Sequence, residues 1–373
     1  MGTNSPITDA RRLIVKVGSS LLVDEGSGHI RRAWLDSLCD DVARARARGQ
    51  DVILVSSGAV AVGRRHLGLT PPLRLEEKQA AAATGQIRLA HAYQEALARH
   101  GITVAQVLLT LDDSEDRQRY LNARSTLDTL LKLGAVPVIN ENDTVATAEI
   151  RFGDNDRLAA RVAQMIGADA LVLFSDIDGL YTADPRKDPA ARHLPEIHDI
   201  TPDIEAMAGD PGSGYGSGGM VTKLTAAKIC LSAGCRMAIC KGDPPHPLTA
   251  LENGAPCSWF IPRASARTAR KQWIFGSMNP VGTLTLDAGA ARALTQGKSL
   301  LPAGVVAVDG DFERGDCVRV ADATGRVLAR GLTAYSAADA ARIIGRKSTE
   351  IEAVLGYRGR DELIHRDDLV MEG

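Results

Sequence analysis

Apolar runs of four to six residues punctuate the first 240 positions, at 13–17, 52–55, 104–109, 135–139, 170–174 and 237–240. Each is rich in Val, Ile, Leu or Ala, and most lack polar alternation, the pattern of strands buried on both faces. Longer stretches with helical character lie between them, at 30–48, 76–100, 116–133, 156–166 and 221–233. Strand and helix in alternation predict an α/β fold: a mainly parallel sheet covered on both faces, an αβα sandwich.

The pattern changes after about residue 262. A basic, weakly apolar connector, Arg263-Ala-Ser-Ala-Arg-Thr-Ala-Arg-Lys271, precedes short β-like pieces at 282–286, 305–308, 317–320 and 327–331, with one helix near 337–344. Gly and Asp turns separate these pieces, which predict a second, smaller, mostly-β domain. The expected organisation is a catalytic domain over 1–262, a linker over 263–280, the small domain over 281–359 and a C-terminal tail over 360–373.

Composition narrows the function classes. The 373 residues are 45% hydrophobic, ample for ordinary cores, and 44 Lys and Arg against 46 Asp and Glu leave a net charge of −2. Such a balance gives no broad attraction to nucleic acid or acidic membrane, so anion binding has to be local. No apolar run approaches the roughly 18 residues of a membrane span, and no charged segment followed by an apolar one opens the chain, so a cytoplasmic protein is expected. The six cysteines, at 39, 230, 235, 240, 257 and 317, have no paired Cys-x-x-Cys spacing and read as reduced, buried thiols.

In parallel sheets ligands bind beyond the carboxyl ends of the strands. The polar loops sit there: Lys16-Val-Gly-Ser-Ser20, Ser56-Ser-Gly58, Asn140-Glu-Asn-Asp143 and Ser175-Asp-Ile-Asp-Gly179. Lys16, between Val15 and Val17, needs an anionic partner to offset desolvation. Six of the twelve residues over 209–220 are glycine, and the apolar steps Val221, Leu224, Ala227 and Leu231 announce a helix directly after them. Lys223 is expected in its first turn, opposite that stripe. A Gly/Ser segment alone reads equally as a linker, but a helix start and a lysine make this one suited to phosphate, by close backbone approach and unpaired N–H groups. It is not a P-loop, because the lysine follows Thr222 instead of preceding Ser or Thr.

Gly153-Asp154-Asn155-Asp156 opens another helix. One acid would suffice for its cap, and a carboxylate between two lysines would orient both ammonium groups. The loop ending at Asp143 offers carboxylate and amide groups, and Ser57 precedes a helix start; together they suit a ligand carrying an ammonium and a carboxylate. Two cations at strand and helix ends with bare backbone amides point to phosphoryl transfer onto an amino acid.

These segments, with Val55-Ser-Ser-Gly-Ala-Val-Ala61, Val136-Pro-Val-Ile-Asn-Glu-Asn-Asp-Thr-Val-Ala-Thr147, Asp178-Gly-Leu-Tyr-Thr-Ala-Asp-Pro-Arg186 and Gly218-Gly-Met-Val-Thr-Lys223, resemble the glutamate 5-kinase family of the amino acid kinase superfamily over essentially the full length. The C-terminal region is similar to a PUA domain. The resemblance implies ATP-dependent phosphorylation of the γ-carboxylate of L-glutamate with Mg²⁺, the first step of proline biosynthesis, with proline as feedback inhibitor and a homo-oligomer, dimer or tetramer. It implies that Lys16 and Lys223 contact the transferring phosphoryl group and that Asp156 orients them. Ser57, Asp143, Asp154 and Asn155 fall where the family binds glutamate. Lys16, Ser175, Asp176, Ser217, Gly218, Gly219, Met220, Val221, Thr222 and Lys223 fall where it binds ATP. Magnesium is expected on phosphate oxygens and water, with no protein ligand assigned.

Two alternatives stand beside this reading. A superfamily relative acting on aspartate, uridylate or carbamate would keep the phosphate apparatus and change the substrate loops. An RNA-binding protein would use the PUA-like region, but from 280 onward 12 Lys and Arg face 14 Asp and Glu, where an RNA surface is usually basic.

Overall fold

The computed structural model describes residues 6–24, 26–145, 154–208, 219–266, 268–269 and 279–372, with the side chain of Asp154 outside the description. The chain forms two compact units, Met1–Ala266 and Arg267–Gly373.

The first unit begins β1 (Arg12–Val17), α1 (Ser19–Leu22), α2 (Arg32–Ala47), β2 (Asp51–Val55), α3 (Ala59–His66), α4 (Leu75–Ala98) and β3 (Val104–Leu109). It continues α5 (Leu111–Glu115), α6 (Arg117–Lys132), β4 (Val136–Glu141), α7 (Asp154–Ile166) and β5 (Ala170–Ser175). Three short strands follow, β6 (Leu180–Tyr181), β7 (His193–Leu194) and β8 (Glu196–Ile197), then α8 (Pro202–Ala206), α9 (Met220–Ser232), β9 (Arg236–Lys241), α10 (Pro247–Glu252) and β10 (Cys257–Phe260).

One sheet runs β3-β4-β2-β1-β5-β9-β10-β8, parallel from β3 through β9. All six expected strands are in it. Successive residues of β1 serve opposite faces: Leu13, Val15 and Val17 pack with Leu35, Leu38 and Val42 of α2 and Leu89 and Tyr93 of α4, whereas Ile14 packs with Leu158 and Val162 of α7 and Leu224 of α9. Burial on both faces is why the strands read as unbroken apolar runs. The sheet is mixed at one margin, where β10 runs antiparallel to β9. β10 was not expected, because Ser258 and Phe260 are its only buried residues and it lacks an apolar run.

The carboxyl ends of β1, β2, β4 and β5 open on one edge, and α7 links β4 to β5. Those two strands flank β2 and β1, so the helix has to cross the face that carries Ile14. Two glycines fix a second feature of this edge. A Cβ on Gly63 of α3 would stand 1.7 Å from the Ala81 carbonyl oxygen, and one on Gly85 of α4 would stand 1.8 Å from that of Ala59. The helices therefore meet backbone to backbone, which holds the start of α3 in place.

The second unit contains β11 (Gly282–Leu286), β12 (Val305–Gly310), β13 (Cys317–Ala321), β14 (Val327–Leu332) and β15 (Leu369–Met371), in the order β12-β11-β13-β14-β15. Leu284, Phe312, Val320, Tyr335, Ile343 and Ile364 are among its core residues. The expected helix forms at Ala337–Ile343, and an unexpected one at Ala288–Thr295 is capped by Asp287, whose carboxylate accepts from the Ala290 N–H at 2.7 Å. The stretch expected as a tail packs: Leu363 and Ile364 are fully buried, and β15 pairs with β14.

The helix crossing yields a test. Alanine has a helix propensity better than glycine by up to about 1 kcal/mol, but overpacking against a carbonyl destabilises by about 1–3 kcal/mol or more. Gly85→Ala is expected to lower the urea midpoint of unfolding by the equivalent of about 2 kcal/mol; unchanged or raised stability would mean that the helix backbones do not touch there.

Candidate active site

Lys16 shares the face of β1 with Ile14, two residues earlier, so its stem runs toward the layer of α7 and α9. Its ammonium nitrogen lies 2.6 Å from Asp156 Oδ1, and the nitrogen of Lys223 lies 3.2 Å from Asp156 Oδ2. Asp156 is 1% exposed, Lys16 7% and Lys223 8%. Lys223 thus faces inward, beside buried Leu224, Ala226 and Ala227, and not away from the apolar side of α9 as expected. α9 is buried over too wide an arc for one stripe to define its solvent face.

Burial alone would push the Asp156 carboxyl upward in pKa, but the ammonium groups of Lys16 and then Lys223 outweigh it and hold the group below the usual carboxylate range. The Thr222 hydroxyl is 3.1 Å from Asp156 Oδ2 and 2.9 Å from the Gly219 carbonyl, donating its one proton to either. Two ammonium groups around one carboxylate leave the cluster net positive, and both nitrogens are gathered where one phosphate could touch them.

On one side of the cluster stand the residues expected to hold nucleotide. The Ser175 hydroxyl donates to Asp176 Oδ1 at 3.0 Å, and an Arg186 nitrogen lies 3.4 Å from Asp176 Oδ2. Burial raises the pKa of Asp176, but the Ser175 hydroxyl, its own backbone N–H, Arg186 and Lys223 together lower it. Gly219 caps α9 without a side-chain hydrogen bond, and Met220, Val221 and Thr222 form the first turn. Such a turn offers backbone N–H groups to an anion. Ser217 and Gly218 lie outside the described residues.

On the other side stand the residues expected to hold the acceptor. Asn155 Nδ2 lies 3.0 Å from Ser57 Oγ, 3.1 Å from the Ser56 carbonyl and 3.1 Å from Asn140 Oδ1. Gly58, with φ of 97°, turns the chain from Ser57 into α3; a Cβ there would also meet Val23 Cγ2 at 2.9 Å. Asp143 is half-buried in the turn after β4, and Asp154 starts α7 one residue before Asn155. The structure thus gathers Lys16, Lys223 and Asp156 directly, and Ser57 with Asn155 one residue along α7. Sequence reasoning gave no role to Asn140 within its loop, to Gln86, or to Arg186. The last stands in the quoted Asp178–Arg186 motif, and Gln86 is one of three glutamines in an alanine-rich helix, with nothing local to set it apart from Gln79 and Gln94.

Comparison with known proteins places the chain in context. Residues 11–241 match the Amino acid kinase family and residues 282–355 the PUA domain. A glutamate 5-kinase of Paramagnetospirillum magneticum is 77% identical over 369 residues, 99% of this chain and all of that protein. One from Rhodospirillum rubrum is 61% identical over 360 residues, 96% of each chain. Among solved structures, carbamate kinase from Giardia lamblia bound to AMP-PNP covers 68% of this chain and 99% of its own, at 17% identity and a TM-score of 0.50, a likeness of fold.

Asp156 makes a prediction with a definite sign. Its lowered folded-state pKa means that its stabilisation is present above the unfolded aspartate value of about 3.9 and is lost as pH falls through the lower folded value. Asp156→Asn leaves two buried ammonium groups without their carboxylate, a loss of about 3–5 kcal/mol near pH 7. Urea titrations should find the gap between parent and variant flat from pH 8 to about pH 5 and narrowing only in stronger acid; a gap that narrowed between pH 7 and 5 would contradict the assignment.

Proposed function

Because the chain belongs to the glutamate 5-kinase branch of the amino acid kinase family, we propose that it transfers the γ-phosphoryl group of ATP to the γ-carboxylate of L-glutamate, yielding L-glutamyl 5-phosphate and ADP. The observation that carries this reading is the buried pair of ammonium groups on one carboxylate, between a nucleotide-suited loop and an amino-acid-suited loop.

The γ-carboxylate of glutamate, with an ordinary pKa of about 4.3, is ionised at neutral pH and needs no general base. An oxygen of that carboxylate bonds to the γ-phosphorus as the bond from phosphorus to the β,γ-bridging oxygen breaks, and the electron pair leaves on ADP. The chain's work is alignment and charge neutralisation. Lys16 and Lys223 face the negative charge on the moving phosphoryl oxygens, and Asp156 keeps both ammonium groups directed. Ser175, Asp176 and the start of α9, with Ser217 and Gly218 preceding it, contribute the nucleotide contacts. Ser57, Asn155, Asp143 and Asp154 contribute those to glutamate.

Magnesium supplies further charge neutralisation when it arrives with ATP. Asp156 does not fit as its ligand, because each carboxylate oxygen already faces an ammonium group, and no step is derived through the ion. We assign the reaction to the first step of proline biosynthesis in the cytoplasm, with proline as inhibitor and self-association of the chain; among the described residues no helix is long and apolar enough to cross a membrane. The acidic balance from residue 280 onward gives no support to an RNA-binding role.

Incubation with ATP, Mg²⁺ and hydroxylamine should convert L-glutamate to its coloured hydroxamate, with aspartate, uridylate and carbamate unreactive. Lys223→Ala is expected to reduce turnover by roughly two to three orders of magnitude at saturating substrates, with little change in unfolding temperature. Near-parental turnover would remove Lys223 from the phosphoryl-transfer machinery.

A further inference from the structure

The acceptor half of the site rests on a side chain outside the chemistry proposed above. Gln86 projects from α4 and is 9% exposed. Its Oε1 accepts from Asn140 Nδ2 at 2.6 Å, the shortest link in a chain of amides that ends at Ser57. Asn140 is itself 2% exposed, so its amide orientation is dictated by protein groups and not by water.

Hydrogen-bond polarity propagates along this chain. With its NH₂ committed to Gln86, Asn140 turns Oδ1 to the other side, where it accepts from the Glu141 N–H at 2.9 Å and from Asn155 Nδ2 at 3.1 Å. The Asn155 NH₂ has two hydrogens and three acceptors around it, namely Asn140 Oδ1, the Ser56 carbonyl and Ser57 Oγ. All its donors therefore face the protein. Its Oδ1 is buried and has no hydrogen-bond partner among the described residues. Ser57 Oγ lies on the accepting end of the last link, so its own proton is directed elsewhere.

A ligand meeting these two residues thus finds a hydroxyl that donates and an amide oxygen that accepts. That is the complement of a carboxylate beside an ammonium. Were Asn140 to rotate by half a turn, its NH₂ would face the Glu141 N–H and the Asn155 NH₂, which the Ser56 carbonyl also holds, setting donor against donor on the link that leads to Ser57. Gln86 opposes the rotation together with the Glu141 N–H, and its neighbour Gly85 sits against Ala59, which anchors α4 to the helix that Ser57 introduces.

We infer that Gln86 is a positioning residue that sets the hydrogen-bond polarity of the acceptor site, making Ser57 a donor and the Asn155 oxygen an acceptor. The inference rests on the amino-acid acceptor proposed above and names the element that tunes its recognition. Gln86 itself touches neither substrate.

The test compares the parent with Gln86→Met and Gln86→Leu, which remove the acceptor at similar length, and with Gln86→Glu, which keeps a carboxyl oxygen facing Asn140. Two apolar variants are carried so that failure of one to fold leaves the other. Hydroxamate formation should give a KM for L-glutamate raised about tenfold or more in the apolar variants. The KM for ATP should stay within about twofold, and Gln86→Glu should recover most of the glutamate affinity. Unchanged glutamate KM in an apolar variant would overturn the inference and leave the proposed function standing. A matched rise in both KM values without rescue by Gln86→Glu would reduce Gln86 to a packing role and also overturn it. Absence of hydroxamate from glutamate in the parent would overturn the proposed function, and the inference with it.

Discussion

Three charged side chains buried at one point constrain the rest of the catalytic unit. Removing an ion from water costs several kcal/mol even after relaxation, so Lys16, Asp156 and Lys223 can be buried together only if their elements bring them to within hydrogen-bonding distance. The topology does so. β1 lies at the centre of the sheet, and α7 joins strands on either side of it, so the helix start passes over the end of β1. α9 packs beside α7 on the same face, through Leu224 and Ala227. The side-chain period of β1 does the rest, because it puts Lys16 on the face of Ile14 and not on that of Val15.

That constraint also explains what could be read from the chain. A strand buried on both faces has no room for polar alternation, so the six central strands stand out as apolar runs. A lysine in such a run, as in Val15-Lys16-Val17, is conspicuous because only an ionic partner offsets its desolvation. β10 and β15 escaped notice for the converse reason: β10 buries two alternate residues, and β15 has three residues of which Leu369 alone is buried. The helix at Ala288–Thr295 buries Leu294 alone, so its sequence carries no apolar stripe.

Site residues were legible where their chemistry was conspicuous and not where their meaning lay in a partner. Asp156 stood out as an acid beyond the needs of a helix cap. The side on which Lys223 lies did not, because α9 buries residues over a wide arc. Gln86 and Asn140 are 54 residues apart on a helix and a strand, and nothing near either one signals the other. Hydrogen-bond direction is a property of the assembled network, and a local pattern holds no trace of it.

The two halves of the site obey different physics, and this bears on how one fold can serve several acceptors. Attraction between ammonium groups and phosphoryl oxygens falls slowly with distance and tolerates small rotations, so the Lys16, Asp156 and Lys223 cluster can act on any phosphoryl group delivered to it. Amide and hydroxyl contacts are directional and signed, and a buried donor facing a donor forfeits about 1–3 kcal/mol. Under the function proposed above, discrimination among acceptors belongs to the Ser57, Asn155 and Asn140 side, where polarity must be right at every link. On that reading, a fold that keeps the charged cluster can change acceptors by rewriting the directional half alone, and the positioning role inferred for Gln86 extends that half into the helix layer behind the residues that would touch the ligand.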